Sequence, residues 1–256
     1  MSSIVAKSAG LLDIVCANST PLTFTRLVEL SGMTKSSTHR ILSVLVAERL
    51  LSFDPDRQTY QPGVRLLGWS SRALSANDLP SVASDIMESL NRNTGAHVCL
   101  SVLAGNTVLF IKTVDSIEPY RLAPRVGEYS QIHASAAGKV MLAHLRPAKR
   151  DAIVAEMNLE RCTENTITSR RAFAKELRDV AKRGIALCDR EEFLLVNGIS
   201  APVFGHHGEV IAAMSLWDLV ERNPINALLR HEEDLRAAAR ALSARLGAQD
   251  GMPDAA

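Results

Sequence analysis

The chain has 256 residues, with 29 Lys and Arg against 28 Asp and Glu, and is 46% hydrophobic. That size and balance exclude a disordered chain and a uniformly basic nucleic-acid coat, and leave room for one large or two small domains. A local basic patch stays open, because phosphate binding depends on where charge sits rather than on its sum.

The N-terminal stretch has Lys7 inside a short, interrupted apolar run, unlike a signal peptide. No run approaches the ~18 apolar residues of a membrane span. Cys16, Cys99, Cys162 and Cys188 lie far apart and form no Cys-x-x-Cys pair, which suggests neither zinc nor a disulfide framework. Free thiols fit a reducing cytoplasm, and a cytoplasmic two-domain protein is expected.

Residues 4–16 set Val5, Ala9, Leu12 and Cys16 at helical spacing, predicting a first helix with that face inward. Thr23 can cap a second short helix carrying Leu27, Val28 and Leu30, and Gly32 can take the positive φ of a tight turn. Thr34 caps a third helix, from about Lys35 to Arg49, whose inward face is Ile41, Leu42 and Leu45. Two short helices, a turn containing Gly and a third helix form the helix-turn-helix pattern.

The start of the third helix carries the functional signal. Thr34, Lys35, Ser36, Ser37, Thr38, His39 and Arg40 include two fixed cations, four hydroxyls and no acid. A recognition helix offers its first residues to base edges in the major groove, while cations and hydroxyls also hold phosphates. The bland alternative is a well-capped, solvated helix start. Next, Leu50 to Phe53 and Thr59 to Gln61 flank Asp54-Pro55-Asp56-Arg57, predicting a hairpin. A hairpin after the third helix reads as a wing, with Arg57 near its tip over a phosphate or a minor groove. The alternative for Arg57 is a turn residue paired with Asp54 or Asp56.

After Pro62-Gly63, a partly apolar helix carries Arg65, Trp69 and Arg72. Trp69 either packs on the wing or makes a dimer contact. Asn77-Asp78 and Pro80 mark a boundary, and a helix over about 79–93 follows. His97 to Leu103 and Thr107 to Thr113 read as strands joined by a Gly105-Asn106 turn. A helix begins near Ser135 with Ala136, Ala137 and Gly138 in its first turn, and Pro147 opens another. Residues 169–183 form an amphipathic helix ending at Gly184. Strands Ile185–Cys188, Ile199–Phe204 and Val210–Leu216 follow, with His206-His207-Gly208 as a turn. A last helix carries Leu235, Ala239, Leu242 and Leu246 on one face. This order suggests an α+β domain.

A helix start crowded with small residues exposes backbone N–H groups at a positive dipole end, so Ser135, Ala136 and Ala137 can hold a carboxylate. Tight helix-on-sheet packing accounts for the same residues equally well. Catalysis is not expected: Ser135, His133 and Asp189 can be imagined as a triad, but no nucleophile elbow is present and nothing sets a base against a nucleophile. His206-His207 lacks a third ligand for a metal. No cofactor, metal site or catalytic set is predicted.

Several strings together resemble the IclR family of transcriptional regulators over nearly the whole chain. They are Ser31 to Leu42, Tyr60-Gln61-Pro62-Gly63, His133 to Lys139 with Leu142-Ala143, and a C-terminal set of Arg183-Gly184, Glu191 or Glu192, Ala201-Pro202-Val203 and Gly208 with Val210 to Ser215. The resemblance implies a winged helix-turn-helix DNA-binding domain over 1–63, a linker helix over 64–77, a GAF-like α/β effector-binding domain over 78–248 and a disordered tail over 249–256. It implies a homodimer, or a pair of dimers, on double-stranded operator DNA, with no membrane partner. A repressor of a catabolic operon controlled by a small organic or aromatic acid is expected. The alternatives are an activator of the same kind and a small-molecule hydrolase. Carried over by position, the effector pocket would be lined by Leu122, Ser130, Ala136, Ala137, Asp189, Gly198, Ser215 and Trp217. Two positions depart from the family's pattern: Leu195 stands where Gly is usual, and Gly198 where Ser or Cys is common. The lost side chain enlarges that corner, which Trp217 can fill or use to stack on an aromatic ring.

Overall fold

The computed structural model describes residues 4–18, 20–75, 79–116 and 125–248. The chain forms two compact units, Met1–Asp78 and Leu79–Ala256. The predicted tail over 249–256 lies outside the described residues. Among those described, no helix is long and apolar enough to cross a membrane.

The first unit runs α1 (Ile4–Ala17), β1 (Leu22–Thr23), α2 (Phe24–Ser31), α3 (Lys35–Ala47), β2 (Leu51–Asp54), β3 (Thr59–Pro62) and α4 (Val64–Ser75). Local chemistry sets its boundaries. Thr23 Oγ1 accepts from Arg26 N at the start of α2, and Gly32 closes that helix at φ 63°. The wing hairpin pairs Leu51 with Pro62 and Asp54 with Thr59, and β1 adds a third strand on β3. Leu11, Val15, Leu27, Ile41, Leu42, Leu45 and Leu51 form the core.

Two expectations need correction here. The buried face of α1 is Leu11 and Val15, whereas Val5 is 72% exposed and Cys16 faces solvent. Leu11 and Val15 are four apart on one ridge and bury larger side chains than Ala9 or Cys16. The third helix ends at Ala47, not Arg49. Arg49 takes φ 57°, and Gly63 packs directly on its carbonyl: a Cβ on Gly63 would sit 2.2 Å from Arg49 O. The wing returns so close to the end of α3 that only Gly fits.

The second unit contains α5 (Leu79–Val82), α6 (Ser84–Thr94), β4 (His97–Ala104), β5 (Thr107–Val114), β6 (Tyr129–Gln131), α7 (Ala136–His144), α8 (Pro147–Glu156), α9 (Arg170–Arg183), β7 (Ala186–Asp189), β8 (Val196–Phe204), β9 (Val210–Leu219), α10 (Ile225–Leu228) and α11 (Glu232–Arg245). Its sheet is antiparallel, in the order β6-β5-β4-β9-β8-β7. Strands β8 and β9 outrun their predicted limits because they pair along their length, from Val196 with Leu219 to Phe204 with Val210.

Alternation assigns the two faces of this sheet. Val98, Leu100, Ile199, Ala201, Val203, Ala212, Met214 and Leu216 pack with α6 and α11. The opposite face carries small and polar side chains: Cys99 and Ser101 on β4, Ser215 and Trp217 on β9, Gly198 and Ser200 on β8, and Cys188 on β7. Helices α7 and α9 cover that face through Val140, Met141, Phe173 and Leu177.

Candidate functional site

Two features of different chemistry stand out. The first is the exposed start of α3. Thr34 caps it, its Oγ1 accepting from Ser37 N at 3.3 Å. Lys35, Ser36, His39 and Arg40 are exposed and Ser37 is half-buried. His39 meets the Phe24 ring edge-on at 6.2 Å. Thr38 is fully buried, and its hydroxyl donates to Thr34 O at 3.1 Å. It stands one turn before Ile41 and Leu42 on the core face, so it cannot reach a groove, which corrects its inclusion in the contact set.

At the wing tip, Asp54 Oδ1 accepts from the backbone N–H groups of Asp56 and Arg57, at 2.9 and 3.1 Å. The carboxylate is therefore used by the turn itself. Among the described residues, Lys35, Arg40 and Arg57 have no carboxylate within ion-pair distance, while Arg26 pairs with Glu29 and Arg65 with Glu48. Three cations are thus left for an external anion. On α4, the Arg65 guanidinium lies 5.0 Å from the centre of the Trp69 ring, which is half exposed.

The second feature is a cavity of about 150 Å³ between the small-polar face of the sheet and the start of α7. Strand register builds its floor. Ser200 faces Ser215, which faces Cys99; one step on, Cys188 faces Gly198, Gly198 faces Trp217 and Trp217 faces His97. The Ser200 and Ser215 hydroxyls are 2.6 Å apart. The Trp217 ring stacks on His97 at 4.1 Å and 17°, and its buried Nε1–H has the Cys99 thiol beside it.

The roof is the first turn of α7. Ser135 Oγ accepts from Gly138 N at 3.2 Å and donates to Gln131 O at 2.8 Å. Ala136 and Ala137 line the cavity, and their N–H groups fall in the turn that has no intrahelical acceptor. Gly138 is required for this approach: a Cβ there would sit 2.0 Å from Ile132 O.

The wall holds a carboxylate that the sequence reading did not place. Glu192 Oε2 accepts from Ser130 Oγ at 2.6 Å and Oε1 accepts from Gln131 N at 2.8 Å. Burial raises its pKa, while the bonds from Ser130 and Gln131 act to lower it. Burial also pushes the Cys99 thiol up to about 12 and the Cys188 thiol up to about 11, so both stay protonated.

Of the eight predicted pocket residues, Ser130, Ala136, Ala137, Gly198, Ser215 and Trp217 line this cavity. Leu122 lies outside the described residues. Asp189 does not line it; its carboxylate meets Arg190 Nε at 3.0 Å. Tyr129, Phe110, Cys99, Cys188, Ser200 and Glu192 were missed. The signal for three of them was available: small polar residues recur at alternate positions of strands that pair.

The imagined triad does not assemble. His133 Nε2 donates to Glu160 O at 2.9 Å, Ser135 caps α7, and Asp189 turns to Arg190. The His206 and His207 rings meet at 3.6 Å, tilted by 41°, at the turn before β9. Among the described residues, no three His, Cys, Asp or Glu side chains gather as a metal site.

Comparison with known proteins finds matches for both parts of the chain. Residues 4–55 match the model of the IclR helix-turn-helix domain, and residues 71–244 match that of the bacterial transcriptional regulator IclR C-terminal domain. The chain is 29% identical over 243 residues to the HTH-type transcriptional regulator XynR of Escherichia coli, covering 95% of this chain and 96% of that one. It is 31% identical over 210 residues to the regulator BhcR of Paracoccus denitrificans, covering 82% and 75%. Among solved structures, an IclR homologue from Microbacterium hydrocarbonoxydans, crystallised with 4-hydroxybenzoate, superposes with a TM-score of 0.82 at 27% identity, covering 95% of this chain and 99% of that one.

Proposed function

Because the chain belongs to the IclR family of bacterial transcriptional regulators, we propose that it is a cytoplasmic, dimeric repressor of a catabolic operon, released from DNA or held on it by a small organic or aromatic acid. The family membership makes it a ligand-responsive, DNA-binding regulator. The sign of regulation, the assembly and the contact residues are our reading.

The observation that carries the DNA half is the trio Lys35, Arg40 and Arg57, exposed on the helix start and the wing tip and, among the described residues, free of carboxylate partners. Lys35, Ser36, Ser37, His39 and Arg40 present to the major groove, and Arg57 to an adjacent phosphate or minor groove. Two such units on a symmetric operator require a dimer. Val64 and Trp69, both at least half exposed on α4, supply apolar area for that contact. Catalysis plays no part in this reading.

The effector half rests on the cavity. An acid group at the N–H groups of Ala136 and Ala137 gains from the α7 dipole. Glu192 supplies an acceptor, which favours a ligand hydroxyl and disfavours a second acid nearby. The Microbacterium relative with bound 4-hydroxybenzoate supports a small acid of this kind. The effector then biases one of two placements of the DNA-binding units by its differential affinity for them.

Gel shifts test the DNA half, using DNA flanking this gene. Wild type binds it with steep salt dependence, and Lys35→Ala with Arg40→Ala together abolish the shift. Undiminished binding in that double variant sinks the assigned face. Calorimetry with a panel of carboxylic acids tests the pocket: Ala137→Asp abolishes binding, and unchanged affinity sinks the anion site. A reporter under the flanking promoter rises on deletion of the gene if the protein represses.

A further inference from the structure

The cavity's floor is asymmetric around Trp217. The indole stacks on His97 at 17°, so one of its faces is covered from the β4 side. Its opposite face is turned across the sheet towards β8. There the residue in register is Gly198, which brings no side chain. The next strand in that row contributes the Cys188 thiol, and Val196 and Ser200 flank Gly198 along β8. The cavity therefore meets the indole, itself only 6% exposed, on the side where β8 brings no side chain.

Gly198 is not demanded by the backbone. A Cβ at this position would meet Leu216 O at 3.4 Å and Trp217 Cβ at 3.6 Å, which is ordinary contact. Its place in the strand accepts a side chain, and the space above it is empty because the residue is Gly. The cavity's volume, about 150 Å³, matches that of an apolar cavity known to admit one benzene ring.

The geometry points to a monocyclic aromatic acid as the effector, its ring stacked on the side of Trp217 that faces Gly198, with Gly198 as the residue that selects rings. This rests on the reading of the cavity as the effector site. An offset stack on indole recognises the ring's π-face, so it separates an aromatic ring from a saturated ring of the same size. A side chain at position 198 fills the slot and leaves room only for short acyclic acids at the start of α7.

The chain has two tryptophans, so Trp69→Phe leaves Trp217 as the sole indole and its fluorescence as a direct readout. In that background, benzoate and 4-hydroxybenzoate quench Trp217 emission. By calorimetry, benzoate binds about three- to tenfold tighter than cyclohexanecarboxylate, the fold-change of one aromatic stack. Gly198→Val weakens benzoate at least tenfold while acetate and pyruvate keep their wild-type affinity. Trp217→Phe, which keeps a ring, retains the benzoate preference; Trp217→Leu removes it. Equal affinity for benzoate and cyclohexanecarboxylate, or benzoate binding untouched by Gly198→Val, overturns the aromatic slot. If Ala137→Asp still abolishes acid binding in that case, the cavity remains the effector site and only the slot is lost. If acids bind Ala137→Asp as they bind wild type, the cavity reading fails as well.

Discussion

Lys139 Nζ lies 2.5 Å from Glu191 Oε1 and 3.4 Å from Glu176 Oε1, with its side chain 1% exposed. This ion pair pins α7 to the segment that follows β7. The next residue in that segment, Glu192, holds Ser130 on β6. The roof, the wall and the edge of the cavity are therefore joined through consecutive acids.

Removing the cation leaves Glu191 buried and uncompensated. Lys139→Met is expected to destabilise the second unit by about 3–5 kcal/mol. The loss depends on pH with a definite sign. Burial already raises the Glu191 pKa, and Lys139 acts against that rise. Without Lys139 the folded-state pKa climbs further, so stability is present at low pH and is lost as pH rises through that value. Urea unfolding followed by Trp217 fluorescence, in the Trp69→Phe background, gives the slope. A variant whose deficit grows on acidification contradicts this assignment.

Glycine substitutions separate crowded from open sites. Gly138→Ala and Gly63→Ala place a Cβ 2.0 and 2.2 Å from a carbonyl oxygen, and each costs about 3 kcal/mol or more. Gly10 and Gly68 have nothing within 4 Å of the same atom. On helix propensity, their replacement by Ala gains up to about 1 kcal/mol. Thermal midpoints of the four variants check the pattern.

On DNA, each of Lys35→Ala, Arg40→Ala and Arg57→Ala lowers the slope of log affinity against log salt by about 1. Ser36→Ala changes which sequences bind more than how tightly. Thr38→Ala, by contrast, lowers the melting temperature and leaves the salt slope alone, since Thr38 is buried against Thr34 O. Affinity titrations at several salt concentrations distinguish the two classes.

The Glu192 carboxyl titrates above its ordinary value because burial penalises its charge. The folded state therefore loses stability as pH rises through that raised value. Glu192→Gln removes this dependence, so its stability relative to wild type increases as pH rises above the ordinary carboxylate range. Paired unfolding curves across that range measure it; parallel curves would show that Glu192 is not the group responsible.

Features set by local chemistry were legible in the chain. Thr23, Thr34, Ser135 and Ser169 all cap helices through their own hydroxyls, as their types suggest. The misplaced residues depend on three-dimensional context. Val5 and Cys16 have the right spacing for a buried face, yet the neighbouring helices select Leu11 and Val15. Thr38 extends the Ile41, Leu42 and Leu45 stripe back by one turn, and its hydroxyl disguised it as a contact residue. Glu192 rather than Asp189 lines the cavity because Arg190, between them, takes φ 57°. That left-handed residue breaks strand alternation, sends Glu191 to Lys139 and delivers Glu192 to the cavity.

The division of the effector-unit sheet has an evolutionary consequence. Its α6–α11 side is mostly branched and long aliphatic groups, among them Val98, Leu100, Ile199, Met214 and Leu216, whose loss opens voids. Its α7 side carries Cys99, Ser200, Ser215 and Gly198, small groups that border the cavity and whose exchange reshapes it. Mutations that redirect ligand preference and mutations that threaten the scaffold thus fall on alternate residues of the same strands. A lineage can change its effector through substitutions on one face while the other face keeps the scaffold packed.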